Sequence, residues 1–309
     1  MTEMLYQRDV YGQTLVELGK QNKNIVVLDA DLSCSTRTCI FSREFPERFF
    51  NFGVAEQNMM ATAAGLASCG KVVFVSTFAM FATGRTWDQV RNTVCYNNLE
   101  VKIVASHAGL SVGPDGSSHQ ALEDIALMRV IPNMSIIVPC DGPQTREAVM
   151  AAVDNPGPCY IRLGRPKVAT VENKGEFKWG RAQILSEGSD ASIIACGIMV
   201  NEAIVAVGNL LNKGIKVRLI NMHTLRPLDK EAILKAAKET PGIVVCEEHS
   251  VLGGLASCVQ EVLSEEYPAK VTCLGIKTRF GQSGEPAELL KEYHLTSSDI
   301  EKAVLDIAA

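Results

Sequence analysis

Twice along its 309 residues this chain sets short runs of valine and isoleucine against segments of helical periodicity, and few folds accept that alternation. "NIVVLDAD" (24–31), "KVVFVST" (71–77), "VKIVAS" (101–106) and "MSIIVPC" (134–140) are the apolar runs of the first half. "ASIIACG" (191–197), "IKVRLINM" (215–222), "GIVVCEE" (242–248) and "VTCLGI" (271–276) repeat the pattern in the second. Strands apolar on both faces need cover on both, which a parallel sheet with crossover helices supplies. The sequence therefore predicts an α/β chain of two consecutive parallel-sheet, doubly wound domains. Between the two series, "RPKVATVENKGEFKWGRAQILSEGSD" is charged and weakly periodic, which predicts a linker near 165–190 and domains over 1–175 and 190–309.

Charge narrows the function. Thirty Lys and Arg against 35 Asp and Glu give a net charge of -5, with no basic block to follow a phosphate backbone, so nucleic acid is not an expected partner. No apolar stretch reaches the roughly 18 uncharged residues of a membrane span, and "MTEMLYQRDV" has no signal core, which predicts a soluble cytoplasmic protein. The ten cysteines are scattered without a C-x-x-C pair, and several (Cys69, Cys140, Cys196, Cys246) sit in or beside apolar runs. They read as buried, reduced thiols rather than a zinc site or disulfides.

Open parallel sheets gather ligands at the carboxyl ends of their strands. Two sequence features there carry chemistry. In "NFGVAEQNMMATAAGLASCG" (51–70), Glu56 heads a segment of alanine, methionine, glycine and leucine. A first-turn glutamate is favoured by the helix dipole by about 0.3–1 kcal/mol, which would suffice on an exposed helix. This helix is apolar on every face and so is expected to be buried, and a buried carboxylate needs a partner or a raised proton affinity. The second feature is "SHAGLSVGPDGSSHQ" (106–120), a glycine- and proline-bearing loop with two histidines and an aspartate. Either histidine alone would read as surface decoration. Together His107, Asp115 and His119 suit hydrogen bonding and proton exchange around a polyhydroxylated substrate, and their spacing matches none of the usual zinc-ligand patterns. The second-half strand tails hold His223 and His249, the latter with "GGL" reading as a turn and helix start.

"GVAEQNMMATAAGLA", "STFAMF", "GPDGSSHQALEDIALMRVIPNMSIIVPCDG" and "YIRLGR", in this order, resemble the pyrimidine-binding domain of transketolases, and the second half resembles the transketolase C-terminal domain. That family's diphosphate-binding motif, Gly-Asp-Gly followed some thirty residues on by Asn-Asn, does not occur in the sequence. The resemblance thus implies the C-terminal subunit of a split transketolase, with an N-terminal subunit holding the diphosphate and Mg2+ (or Ca2+), and a dimer of such heterodimers. It implies thiamine diphosphate as cofactor and sugar phosphates as substrates. By the same resemblance Glu56 bonds N1' of the aminopyrimidine, Phe78 and Phe81 line its ring, and Asp31 lies near the cofactor across the subunit interface. Asp115 would receive a substrate hydroxyl, and His107 and His119 would bind substrate oxygens and carry protons. Arg165, Ser35 and Arg8 would hold the substrate phosphate. Where many transketolases carry a tyrosine one turn after the second Phe, this chain has Gly84 and then "RTWDQV", closer to deoxyxylulose-phosphate synthases. A synthase of that kind, a 2-oxoacid dehydrogenase β subunit and a regulatory subunit without catalysis are the alternatives.

Overall fold

The structure, a computed structural model, describes residues 3–172 and 175–308. Its strands are β1 (Met4–Tyr6), β2 (Ile25–Asp29), β3 (Phe49–Asn51), β4 (Val72–Ser76), β5 (Val101–Ala105), β6 (Ser135–Ile137), β7 (Cys159–Arg162), β8 (Lys167–Ala169), β9 (Gln183–Ser186), β10 (Ala191–Ala195), β11 (Val217–Asn221), β12 (Thr224–Arg226), β13 (Ile243–Ser250) and β14 (Val271–Ile276). Two main sheets form, one of seven strands in the order β12-β6-β7-β5-β4-β2-β3 and one of five in the order β14-β13-β10-β11-β9. Within these two sheets all pairings are parallel except those of the edge strands β12 and β9, which run antiparallel to β6 and β11. Every residue of β2, β5, β10 and β11 is buried, as strands covered on both faces must be.

Helices cover both sheets, and their ends follow from local sequence. Gly142–Asp154 starts where the Asp141 carboxylate accepts the Gln144 amide at 2.7 Å, with Pro143 in the first turn. Lys230–Glu239 is capped in the same way by Asp229 on the Ala232 amide at 3.1 Å. Among the described residues no helix is long and apolar enough to cross a membrane.

Several expectations need correcting. The stretch read as a linker, 165–190, holds two strands: β8 pairs with β1, and β9 forms an edge of the second sheet, while Asn173 and Lys174 within it lie outside the described residues. Short strands on sheet edges need only a few residues and leave little period to read. Helix Glu56–Ser68 buries Met59, Met60, Ala63, Ala64 and Ala67, yet Gln57, Asn58, Ala61, Gly65 and Ser68 face outward. Small side chains made the two faces alike in sequence. Of the cysteines singled out, Cys140, Cys196 and Cys246 are buried, but Cys69 lies just past the end of that helix and is exposed.

The halves are joined by buried charge. Arg162, at the end of β7, grips Asp124 through Nε (2.7 Å) and Nη2 (3.2 Å) and donates from Nη2 to the Glu248 carbonyl at 3.0 Å. Tyr160 donates to the same Asp124 oxygen at 2.6 Å. His249 was expected in a turn; it lies inside β13, fully buried, where its Nε2 accepts the Ala126 amide at 3.4 Å. The preceding carboxylates also bind backbone: Glu247 takes the Leu255 and Ala256 amides at 2.7 and 2.8 Å, and Glu248 takes the Ser111 amide. Removing one member of a buried pair strands the other. Arg162→Met is expected to lower stability by about 3–5 kcal/mol, read from the urea midpoint.

Burial raises the Glu248 carboxyl from 4.5 to about 7. The folded chain therefore holds a proton that the unfolded chain releases, and this group's contribution to stability falls as pH rises from about 4.5 to about 7. Glu248→Gln, which needs no proton, should gain stability relative to the parent on going from pH 5 to pH 8, by about 1–3 kcal/mol in parallel denaturation series.

Candidate active site

Five neighbouring strands, β7, β5, β4, β2 and β3, point their carboxyl ends at one cleft, and each delivers part of it. The chain runs from β2 to β3 on one side and returns to β4 on the other, so the crevice lies at a reversal of strand order.

Glu56 follows β3. It is 3% exposed, and of the two ways to keep a carboxylate buried the structure uses a partner: Arg85 Nη1 donates to Oε1 at 2.8 Å. No donor among the described residues reaches Oε2. Arg85 stands at the end of a wide helical turn, Phe81–Arg85, of the i→i+5 kind common at functional sites. Its guanidinium lies over the Phe81 ring, 4.3 Å from the centroid. Phe78 and Phe81, after β4, stack with centroids 6.0 Å apart and planes inclined 18°, a flat apolar wall beside the carboxylate's cation.

The loop after β5 closes on this wall. His107 has φ of 58°, a left-handed conformation costly for any residue with a Cβ, and its ring stacks on Phe78 at 3.9 Å. Arg8 Nη1 approaches His107 Nε2 at 3.3 Å. A guanidinium cannot accept a hydrogen bond, so Nε2 is the acceptor and Nδ1 carries the proton toward Ser106 Oγ at 2.9 Å. Burial first, then the charges of Arg8 and Arg165, push His107 down to about 3, so it is neutral near pH 7. His119 meets Phe81 edge-on at 5.4 Å, half-buried. Asp115, at the end of the turn Leu110–Asp115, is exposed.

Anionic ligands would meet arginines beyond the histidines. Arg8, in the first turn of helix Gln7–Gln21, is half-buried and also reaches the Ser35 carbonyl at 3.4 Å. Arg165, past β7, donates to the Val112 carbonyl at 2.5 Å. Asp31, exposed with φ of 65°, is held by its amide on Asn51 Oδ1 at 3.1 Å. Buried Asp29 organises this corner by accepting from Thr36 and Thr38 hydroxyls at 2.7 and 2.8 Å and from the Leu32 amide at 2.7 Å. The structure thus brings Glu56, Phe78, Phe81, His107, His119, Arg8, Ser35 and Arg165 around one cleft. Asp31 and Asp115 stand on its exposed rim.

Sequence reasoning missed Arg85 and Asp29. The signal for Arg85 was weak, a cation four residues after the second Phe, since its partner lies 29 positions away. Asp29 was visible only as the polar end of an apolar run. Because Arg8 contributes to holding His107 neutral, Arg8→Met should raise the pH at which the His107 ring titrates, while burial keeps it below the ordinary 6.5. Imidazole proton shifts followed against pH would read this directly.

Residues 3–170 match the family model "Transketolase, pyrimidine binding domain", and residues 180–300 match "Transketolase, C-terminal domain". A Methanocaldococcus jannaschii protein described as a transketolase C-terminal section is 48% identical over 303 residues, 97% of this chain and 95% of that protein. The 6-deoxy-6-sulfo-D-fructose transketolase subunit SqwH of Clostridium sp. (strain MSTE9) is 40% identical, covering 97% of this chain and 94% of its own. Human transketolase is 37% identical over 96% of this chain, which spans 48% of the human protein. A solved structure described as a split gene transketolase, inactive β4 tetramer, superposes with a TM-score of 0.91 at 50% identity and covers 98% of both chains.

Proposed function

We propose that this chain, which belongs to the transketolase family as a counterpart of the split C-terminal sections, works only with a separate N-terminal subunit. Together they would transfer a two-carbon ketol unit between ketose and aldose phosphates. The partner carries the diphosphate and Mg2+ (or Ca2+) site, and the complex is a cytoplasmic dimer of heterodimers. One observation carries the reading. Glu56 is a buried carboxylate with Oε1 bound to a guanidinium and Oε2 lacking a donor among the described residues, beside a two-ring apolar wall. That donor set and wall fit an aminopyrimidine, which offers a flat ring and a protonatable nitrogen.

When bound, thiamine diphosphate supplies an acidic thiazolium carbon and an electron sink for breaking a bond next to a carbonyl. The chain's own residues do the rest. Glu56 exchanges a proton at Oε2, in a site from which Phe78 and Phe81 exclude water. His107, neutral, meets a substrate oxygen at Nε2 in exchange for Arg8 and adds no second charge. His119 is the protein's proton carrier toward the sugar oxygens, and Asp115 receives a substrate hydroxyl. Arg8, Arg165 and Ser35 hold the terminal phosphate, where guanidiniums suit a tetrahedral oxyanion. Asp31 faces the cofactor shared with the partner. The match to SqwH supports a second reading of the sugar alone, a sulfonate in place of the terminal phosphate.

Glycolaldehyde transfer from xylulose 5-phosphate to ribose 5-phosphate, by the chain with its co-purifying partner, thiamine diphosphate and magnesium, tests the proposal. Glu56→Gln should lower kcat by at least about 100-fold. The chain without its partner should be inactive, and turnover by the chain alone would sink the two-subunit reading.

A further inference from the structure

Beyond the arginines, the second domain itself reaches the terminal-anion end of the cleft. A cavity of about 350 Å3 is lined there by Tyr6, Arg8, Ser111, Arg165, Glu285 and Pro286. Its far wall comes from Glu285 and Pro286, at the end of the segment 281–286. Gln120, on the histidine loop, donates from Nε2 to the Gln282 carbonyl at 2.9 Å, and a side chain at Gly113 (φ 80°) would press on the Gly284 carbonyl at 3.2 Å. Glu248 fixes the Ser111 amide from behind. Every one of these contacts crosses from one half of the chain to the other.

One donor of the lining residues is left over: Arg8 Nε is buried and finds no hydrogen-bond partner among the described residues. A buried donor without a partner is costly, and a ligand oxygen in this cavity would satisfy it. Glu285 is exposed at the head of helix Pro286–Glu292 and makes no ion pair with Arg8 or Arg165 among the described residues. The cavity therefore presents two fixed positive charges and one negative charge.

We infer that Glu285 is a specificity-determining residue, a second-domain carboxylate that biases the cavity toward singly charged tetrahedral oxyanions over doubly charged ones. The inference rests on the same cleft as the proposed function. Across a solvent-filled cavity, one carboxylate on its wall changes affinity by about threefold per unit of ligand charge. A phosphate monoester carries close to two charges at pH 8, and a sulfonate carries one. The shared chemistry is the tetrahedral oxyanion, and its two sources differ in charge.

The full chain, without cofactor, is titrated at pH 8 and low ionic strength with methyl phosphate and with methanesulfonate, each followed by its methyl proton signal. Glu285→Gln should tighten methyl phosphate about tenfold and methanesulfonate about threefold. The thermal midpoint of Glu285→Gln should equal that of the parent, since the side chain is exposed. Equal changes for the two probes in Glu285→Gln, or no binding of either probe to the parent chain, would overturn the inference. The titration needs neither partner nor turnover. A complex that transfers ketol units while Glu285→Gln leaves both affinities unchanged would keep the function and remove this role for Glu285, and the converse result would do the opposite.

Discussion

The bidentate grip of Arg162 on Asp124 is the contact on which the arrangement of the cleft depends. It sits at the carboxyl end of β7, beside the strand that feeds the histidine loop. The same guanidinium reaches the Glu248 carbonyl of the second half. Asp124 begins the helix Asp124–Arg129, which also receives His249. With desolvation opposing it, the carboxylate is held below its ordinary value chiefly by Arg162, while burial pushes the neighbouring His249 down to about 4 and so leaves it neutral near pH 7. From that base Glu248 anchors Ser111 and Gln120 anchors Gln282, which sets the loop against the aromatic wall.

Strain and charge are concentrated where chemistry is proposed. His107 and Asp31 both take left-handed backbone conformations at the ends of parallel strands. His107 is stabilised there by ring stacking and by an arginine that forces a single tautomer. Gly109 lies against the Glu248 carboxylate so closely that any side chain would collide with it. These are preorganised positions: each costs folding energy locally and is held by packing from more than one element.

Much of this was legible in the sequence, and the boundary of legibility has a physical cause. Sheets covered on both faces leave continuous apolar runs, so β2, β4, β5, β10, β11 and β13 could be read directly. Glu56 stood out because charge interrupts an apolar segment. Hidden were features whose partners lie far along the chain: Arg85, the Asp124–Arg162 pair, and Glu247, Glu248 and His249, which looked like a strand end and a turn. A buried ionic cluster assembled from both halves leaves no local period. Nor does the outward face of helix Glu56–Ser68, where alanine and glycine conceal which side meets water.

Strand β12 comes from the second half of the sequence yet completes the edge of the first sheet, pairing Thr224 and Arg226 with Ile137 and Ile136. Its neighbour His223 lends a carbonyl to the Val138 amide at 2.7 Å. The units are therefore interleaved rather than strung in series. A chimera that joined the first half of one relative to the second half of another at the connecting stretch would graft a foreign edge strand onto a native sheet. Compatibility between halves would then be decided at that seam as much as at the cleft, and the two halves are constrained to diverge together.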